Sequence, residues 1–178
     1  MSGQNFMGTG ILVCGLNGAG KSTLGRALAG KLGFHFIDNE DLYFPKTDPK
    51  YLYASPRTRK EVEKLLFDEI KAHENFVFAS VKGDYGEDLC ALLHCAVLVS
   101  VPRELRLQRV KSRSFQKFGD RILPGGDLYE REKDFLDLVS SRSENMVEDW
   151  ARSLRCPIIR VDGTKPVAEN IAFILERM

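Results

Sequence analysis

Residues 15–22 read GLNGAGKS, and this stretch decides the fold of the chain. It matches the pattern G-x-x-x-x-G-K-[ST], in which a glycine-rich turn holds phosphate groups with backbone N–H groups. Gly15, Gly18 and Gly20 permit a tight turn where no Cβ obstructs a phosphate oxygen. An apolar run typical of a buried strand precedes the match at residues 9–14, and a helical pattern begins near residue 20. The stretch therefore predicts a strand, a phosphate-binding loop and a helix.

The residues of this loop also predict what it binds. Lys21 supplies a charge for the β- and γ-phosphates of a nucleoside triphosphate, and the Ser22 hydroxyl is a ligand for Mg²⁺. The helix N-terminus places partial positive charge at the same phosphates. We therefore expect a nucleoside triphosphate and Mg²⁺ as ligands. The nucleotide-binding residues would be Gly15, Asn17, Gly18, Ala19, Gly20, Lys21, Ser22 and Thr23.

Length and composition limit the remaining possibilities. The chain has 178 residues, 43% of them hydrophobic and 29% charged, with a net charge of +1. We expect one globular domain over residues 1–178 and no nucleic-acid partner, because no long basic stretch occurs. No apolar run approaches the roughly 18 residues of a membrane span, and residues 1–8 lack the basic segment of a secretory leader. The four cysteines form no C-x-x-C pair, so we expect free thiols in a cytoplasmic protein.

Apolar runs alternate with helical patterns along the chain, which is typical of parallel α/β layering. The predicted strands are 9–14, 34–37, 75–81, 95–101 and 157–161. The predicted helices are 20–32, 57–73, 86–92, 103–116, 131–154 and 166–177. Two segments interrupt this rhythm: residues 39–56 contain three prolines and no regular element, and residues 115–130 contain glycines suited to a hinge. Such excursions from a compact core are often lids or binding loops.

Two further groups of residues carry candidate chemistry. The second predicted strand ends in the acidic turn Asp38-Asn39-Glu40-Asp41, and the carboxyl ends of parallel strands open into the ligand crevice of α/β sheets. Capping of a following helix also explains such carboxylates. Arg109 and Arg113 lie four residues apart and share one face of a helix. An exposed basic face explains that pair as well.

Together these features resemble the small-molecule kinases of the P-loop superfamily, which include nucleoside-monophosphate, shikimate and gluconate kinases. The resemblance covers nearly the whole chain. It implies a three-layer α/β domain, with a parallel sheet in the order 2-3-1-4-5 and a lid at about residues 115–130. It also implies an ATP- and Mg²⁺-dependent phosphotransferase that moves the γ-phosphoryl group to a small molecule.

The resemblance assigns roles to individual residues. A carboxylate in the acidic turn lies beside Mg²⁺ and orients or deprotonates an acceptor hydroxyl, and we rank Asp38 before Asp41 for this role. The first arginine of R-x-x-x-R, Arg109, packs on the nucleotide base, while Arg113 approaches the phosphates. Lid and helix arginines, here Arg121, Arg131 or Arg142, meet the transferred phosphoryl group, with Arg131 the weakest candidate.

The acceptor side departs from the family pattern. Arg57 and Arg59 are candidate acceptor-binding arginines, and Lys82-Gly83-Asp84 stands where the family has paired or tripled glycines. Arg57 and Lys82 suit an anionic acceptor. The acidic turn favours a hydroxyl acceptor over a nucleoside monophosphate, because an alcohol has a proton to lose. Two alternatives stay open: a nucleoside-monophosphate kinase, and an ATP-binding switch or ATPase module without a small-molecule acceptor.

Overall fold

Five parallel strands form one sheet in a computed structural model that describes residues 8–178. Residues 1–7 lie outside the described residues, and they make up most of the segment 1–8 that we expect to lack a secretory leader. The strands are β1 Gly10–Cys14, β2 His35–Asp38, β3 Phe76–Ser80, β4 Leu93–Ser100 and β5 Ile158–Asp162. They lie in the order β2-β3-β1-β4-β5, which confirms the predicted order. The sheet therefore has β1, which leads into residues 15–22, at its centre.

Helices connect these strands, as short crossovers between parallel strands require. They are α1 Lys21–Leu32, α2 Asn39–Tyr43, α3 Arg59–Ala72, α4 Gly86–Leu92, α5 Arg103–Phe118, α6 Tyr129–Ser141, α7 Met146–Ala151 and α8 Val167–Leu175. A 3₁₀ turn, Gly119–Ile122, follows α5.

Alternate residues of each strand serve two separate cores, because successive side chains of a strand point to opposite faces. Leu12 and Phe78 pack with α3, α4 and α7 on one face. Ile11 and Val77 pack with α1 and α8 on the other. The three predicted layers are therefore present, and all these residues are buried. Within residues 8–178, no helix has the length and apolar character that crossing a bilayer requires.

Two predicted segments were wrong. Residues 131–154 are not one helix, since the backbone becomes extended at Arg142 (φ −66°, ψ 131°) and a turn follows before α7. Residues 39–56 are not wholly irregular, since α2 begins directly after β2. Asp38 caps α2 by accepting a hydrogen bond from the Glu40 N–H at 2.9 Å, which satisfies an N–H that the first turn would leave free. Both differences bring side chains to the site described below.

Candidate functional site

The turn at residues 15–22 has the backbone that its glycines permit. Gly18 and Gly20 have φ of 82° and 91°, in the left-handed region that other residues avoid. A Cβ on Gly18 would lie 2.4 Å from the carbonyl oxygen of Arg106, so α5 packs directly against the turn. Gly20 is exposed and caps α1. The turn therefore offers backbone N–H groups at a helix N-terminus, the arrangement that binds phosphate.

Lys21 begins α1 beneath this turn. Its Nζ donates a hydrogen bond to the Leu16 carbonyl at 3.2 Å, which holds the ammonium group inside the curve of the loop. Desolvation lowers the pKa of Lys21 to about 8; the nearby charge of Arg113 adds to the shift and Asp38 opposes it. Because an anion restores the charged form, the side chain suits a polyphosphate.

Arginines on one face of α5 hold the turn from the other side. Arg106 is 3% exposed and donates to the carbonyls of Val101 (3.1 Å) and Asn17 (3.3 Å). It also pairs with Glu144 at 2.6 Å. Arg106 was not among the predicted site residues, although it lies three residues before Arg109 and therefore on the same face of a helix. Arg106 is thus a buried support of the loop.

Arg142 reaches the same loop from the break between α6 and α7. Its Nη1 donates to the side-chain oxygen of Asn17 at 2.6 Å. The extended backbone at Arg142 ends α6 and changes the direction of the chain. This break explains why the predicted helix was wrong, and it also directs the Arg142 guanidinium toward the loop.

A cavity of about 630 Å³ lies in front of the loop, at the carboxyl ends of β2 and β3. The structure brings ten predicted site residues to its wall: Asn17, Gly18, Gly20, Lys21, Ser22, Thr23, Asp38, Lys82, Arg113 and Arg142. The wall also holds Arg59, the second of the two candidate acceptor-binding arginines, and residues outside the predicted set, among them Asn39, Glu40, Tyr43 and Tyr85. The cavity combines a phosphate-binding turn, carboxylates and four cationic side chains besides Lys21.

A second cavity of about 350 Å³ lies beside the loop and is lined by Ala19, Thr23, Arg109 and the segment from Gly163 to Val167. Arg109 donates to the carbonyls of Gly18 and Gly163, each at 3.3 Å. Asn170 donates to the Asp162 carbonyl at 2.8 Å and fixes the start of this segment. Gly20 and Thr23 line both cavities, so a ligand that extends along the loop would occupy both.

The acidic turn separates its carboxylates. Asp38 caps α2 and also faces the main cavity, so the two explanations that the sequence left open both hold in part. Asp41 is absent from the cavity wall and pairs with Lys46 at 2.5 Å. Glu40 lines the main cavity where Asp41 does not, and on the side of the neighbouring aromatic pocket it accepts a hydrogen bond from the Tyr53 hydroxyl at 3.1 Å.

The acceptor-side predictions also divide. Arg57 is not brought to the cavity, because its Nη1 donates to the Leu42 carbonyl at 2.8 Å. Arg59 lines the cavity instead, stacked 4.9 Å above the Tyr85 ring and hydrogen-bonded to the Asp84 carbonyl. Gly83 is buried between Leu12 and Trp150, away from the wall.

Lys82 and Tyr85 complete this side of the wall. Lys82 Nζ lies 3.6 Å from a carboxylate oxygen of Asp84. The Tyr85 hydroxyl donates to the Asn39 side-chain oxygen at 2.7 Å, and burial raises the pKa of Tyr85. Side-chain contacts between α2, α3 and the residues that follow β3 therefore form this part of the cavity wall.

Arg121, a predicted catalytic residue, lies outside both cavities. Its guanidinium makes two hydrogen bonds to the Asp127 carboxylate, at 2.9 and 2.7 Å, and these close the loop after the 3₁₀ turn. The Phe118 ring ends α5 at 5.4 Å from the Tyr51 ring. The segment predicted as a lid is thus folded against residues 44–53, with an aromatic pocket of about 180 Å³ between them.

Comparisons with known proteins agree with this architecture. The AAA domain family matches residues 11–121. A relative from Bacillus subtilis (strain 168), described as "Uncharacterized protein YqaC", is 28% identical over 174 residues, which cover 93% of this chain and 95% of that protein. The description of this relative names no activity.

Solved structures share the fold at low sequence identity. A gluconokinase from Sinorhizobium meliloti 1021 has a TM-score of 0.60 at 22% identity, covering 97% of this chain and 92% of that one. A sugar kinase from Janibacter sp. HTCC2649 has a TM-score of 0.54 at 14% identity, covering 95% and 93%. At these identities the likeness shows the fold, and the predicted α/β fold with its strand order 2-3-1-4-5 is confirmed.

Proposed function

This chain belongs to the AAA domain family, and from that premise we propose that it is a kinase that transfers the γ-phosphoryl group of ATP to a small molecule with a hydroxyl group. One observation carries the proposal: Lys21 of the phosphate-binding turn and the Asp38 carboxylate line one cavity of about 630 Å³. Two of the solved structures with this fold are described as a gluconokinase and a sugar kinase, and a sugar presents hydroxyl groups.

The triphosphate would lie along the turn, with its base in the second cavity. Lys21 and the backbone N–H groups after Gly18 would bind the β- and γ-phosphates. Arg109 lines the base cavity with a planar guanidinium, which suits stacking on a ring. Arg113 and Arg142, on the wall of the main cavity, would neutralise the charge that develops on the transferred group.

The donor set in the main cavity also fits Mg²⁺, which prefers hard oxygen ligands. The Ser22 hydroxyl and the Asp38 carboxylate line the same wall, and only one carboxylate oxygen of Asp38 is engaged in capping α2. Ser22 and Asp38 would hold the ion. When bound, Mg²⁺ would supply positive charge that offsets the negative charge of the triphosphate.

The acceptor would enter beside Asp38. This carboxylate would accept the hydroxyl proton or orient the oxygen for attack on the γ-phosphorus. Arg59 and Lys82 line the same cavity and would bind an anionic group of the acceptor, such as a carboxylate. We therefore favour an acceptor that carries both a hydroxyl and a negative charge.

The segment at residues 115–130 would act as the lid. We expect it to become protected from hydrogen exchange when ATP and acceptor bind together, because closure excludes water that would otherwise hydrolyse ATP. Closure would require Arg121 to leave Asp127 if Arg121 is to reach the phosphates.

Two alternatives remain. A nucleoside-monophosphate kinase would use the same cationic wall for a phosphate. The second alternative is an ATPase or ATP-binding switch. The AAA domain match is compatible with it, because the matched residues 11–121 contain the phosphate-binding turn and identify no acceptor. The ending of β3 in Ser80 counts against the switch, because the motor and AAA branch usually has a carboxylate there.

The cysteines of the chain suit a cytoplasmic enzyme. Cys14, Cys90, Cys95 and Cys156 are free thiols, which a reducing compartment maintains. We propose a single P-loop domain that acts on small molecules without nucleic-acid or membrane partners.

A coupled assay of ADP release tests the proposal. The panel should contain sugar acids, polyols and nucleoside monophosphates, each with Mg²⁺ and ATP. We expect a sugar acid or another anionic alcohol to raise the rate of ADP release above that with ATP alone. Stimulation confined to nucleoside monophosphates would support the first alternative. ADP release that no acceptor changes would support the ATPase.

A further inference from the structure

A cluster of two histidines and one glutamate lies at the edge of the sheet, outside both cavities. His35 begins the edge strand β2, while Glu69 and His73 lie in and just after the last turn of α3. One ligand atom of each side chain lies within 4.8 Å of the other two. Nothing in the proposed reaction uses these residues.

The geometry of the cluster is that of converging donors. His35 Nε2 lies 2.7 Å from Glu69 Oε2, and His73 Nε2 lies 4.0 Å from the same oxygen. The two imidazole rings stack with their centroids 3.6 Å apart and an angle of 14° between their planes. The two rings and the carboxylate therefore place three potential metal ligands side by side.

From these observations we propose that His35, Glu69 and His73 form a binding site for a divalent transition-metal ion, with Zn²⁺ the best match. Two imidazole nitrogens and one carboxylate oxygen are a known Zn²⁺ ligand set, with water as the fourth ligand. Mg²⁺ is a poor match, because it prefers oxygen ligands to imidazole. The site is therefore chemically distinct from the oxygen ligands beside Lys21.

Coordination requires a small rearrangement. Stacked rings direct their nitrogen lone pairs along nearly parallel lines, so one ring must turn before both point at one ion. The His73 side chain is 44% exposed, which leaves it free to turn about its side-chain bonds. Binding of Zn²⁺ would replace the hydrogen bond between His35 Nε2 and Glu69 Oε2 by bonds to the ion.

A bound Zn²⁺ ion would cross-link the C-terminal end of α3 to the N-terminal end of β2. Arg59 begins α3 and Asp38 ends β2, so both elements extend from the metal site to the main cavity. Because the ion binds the folded arrangement and not the unfolded chain, it should stabilise the fold.

Zn²⁺ titration of the full chain tests the proposal, with calorimetry and thermal unfolding as readouts. We expect one equivalent to bind and the Tm to rise by about 5 °C at a free Zn²⁺ concentration roughly 100-fold above Kd. His73→Gln should lower the affinity by about 10-fold or more, because it removes an exposed ligand without disturbing the core. Glu69→Gln should act in the same direction.

His94→Gln and Cys156→Ser are matched controls, since both residues lie near another groove, at the start of β4 and before β5. Both should bind Zn²⁺ as the wild type does, and excess Mg²⁺ should not compete. The proposal is overturned if the wild type binds no Zn²⁺, or if His73→Gln and Glu69→Gln bind it unchanged. Loss of binding in a control instead would also overturn it. None of these readouts depends on kinase activity.

Discussion

The donor side and the acceptor side of the main cavity are held in different ways. On the donor side, most of these contacts are made to the backbone: Arg106 donates to the Asn17 carbonyl and Arg109 to the Gly18 carbonyl, although Arg142 donates to the Asn17 side chain. On the acceptor side, contacts between side chains are more frequent: Tyr85 donates to Asn39, Lys82 lies beside Asp84, and Arg59 stacks on Tyr85 as well as donating to the Asp84 carbonyl. A contact to a backbone atom stays available when the residue that supplies that atom is substituted, whereas a contact between two side chains is lost when either one is substituted. We infer that the donor is fixed by the fold and the acceptor by a few residues.

Loss of Lys21 should break the donor side most severely. Lys21→Ala removes the cation at the β- and γ-phosphates, so we expect the rate of ADP formation to fall by roughly 10³-fold. Lys31→Ala is the matched control, because Lys31 is exposed at the far end of the same helix. Steady-state kinetics measure both variants. Activity near wild type in Lys21→Ala would show that the turn does not bind the reacting phosphates.

A pair of substitutions in the acidic turn tests where the two sides meet. Asp38→Asn should lower kcat by about 10²-fold, because it removes the base and an Mg²⁺ ligand. Asparagine also caps helices, so the fold should persist and circular dichroism should be unchanged. Asp41→Asn should have little effect, since Asp41 faces Lys46 outside the cavity. The reverse order of effects would make Asp41 the functional carboxylate.

Substitutions of Arg59 and Arg57 distinguish binding of the acceptor from support of the protein backbone. Arg59→Ala should raise the KM of an anionic acceptor by about 10-fold or more while leaving the KM of ATP unchanged, because it removes a charge-assisted hydrogen bond. Arg57→Ala should leave the acceptor KM near wild type, since Arg57 supports the Leu42 carbonyl. Kinetics with each substrate varied in turn measure the difference. An acceptor KM raised only in Arg57→Ala would refute this assignment.

The smallest expected effect concerns the charge of Lys21. Its pKa is lowered to about 8 in the free protein, and bound phosphate should raise that pKa. At pH 8, ATP binding should therefore take up about half a proton, and affinity should fall as the pH rises through 8. Calorimetry in buffers of different ionisation enthalpy measures the uptake. Lys21→Arg, which stays protonated, should show none. Equal uptake in both proteins would assign the proton to another group.

The same contrast explains how much the sequence could predict. The strands and the phosphate-binding turn follow from local signals, because glycines and apolar runs determine them within a few residues, whereas the order of the sheet followed from the resemblance to P-loop kinases. Arg142 was placed on a continuous helix, although residues 142–145 form a break that aims it at Asn17. Glu40 and Arg59 depend on contacts with Tyr53 and Tyr85, which no local pattern specifies. Side-chain contacts between distant segments were the part that the sequence could not supply.

The most direct test of the central claim follows the γ-phosphorus of ATP through the reaction. ³¹P NMR should be recorded with Mg²⁺, ATP and the acceptor that most stimulates ADP release. We predict that a phosphate-ester signal appears in step with ADP, and that Asp38→Asn forms the same ester more slowly. Inorganic phosphate formed in step with ADP, with no ester signal, would contradict the claim and identify an ATPase.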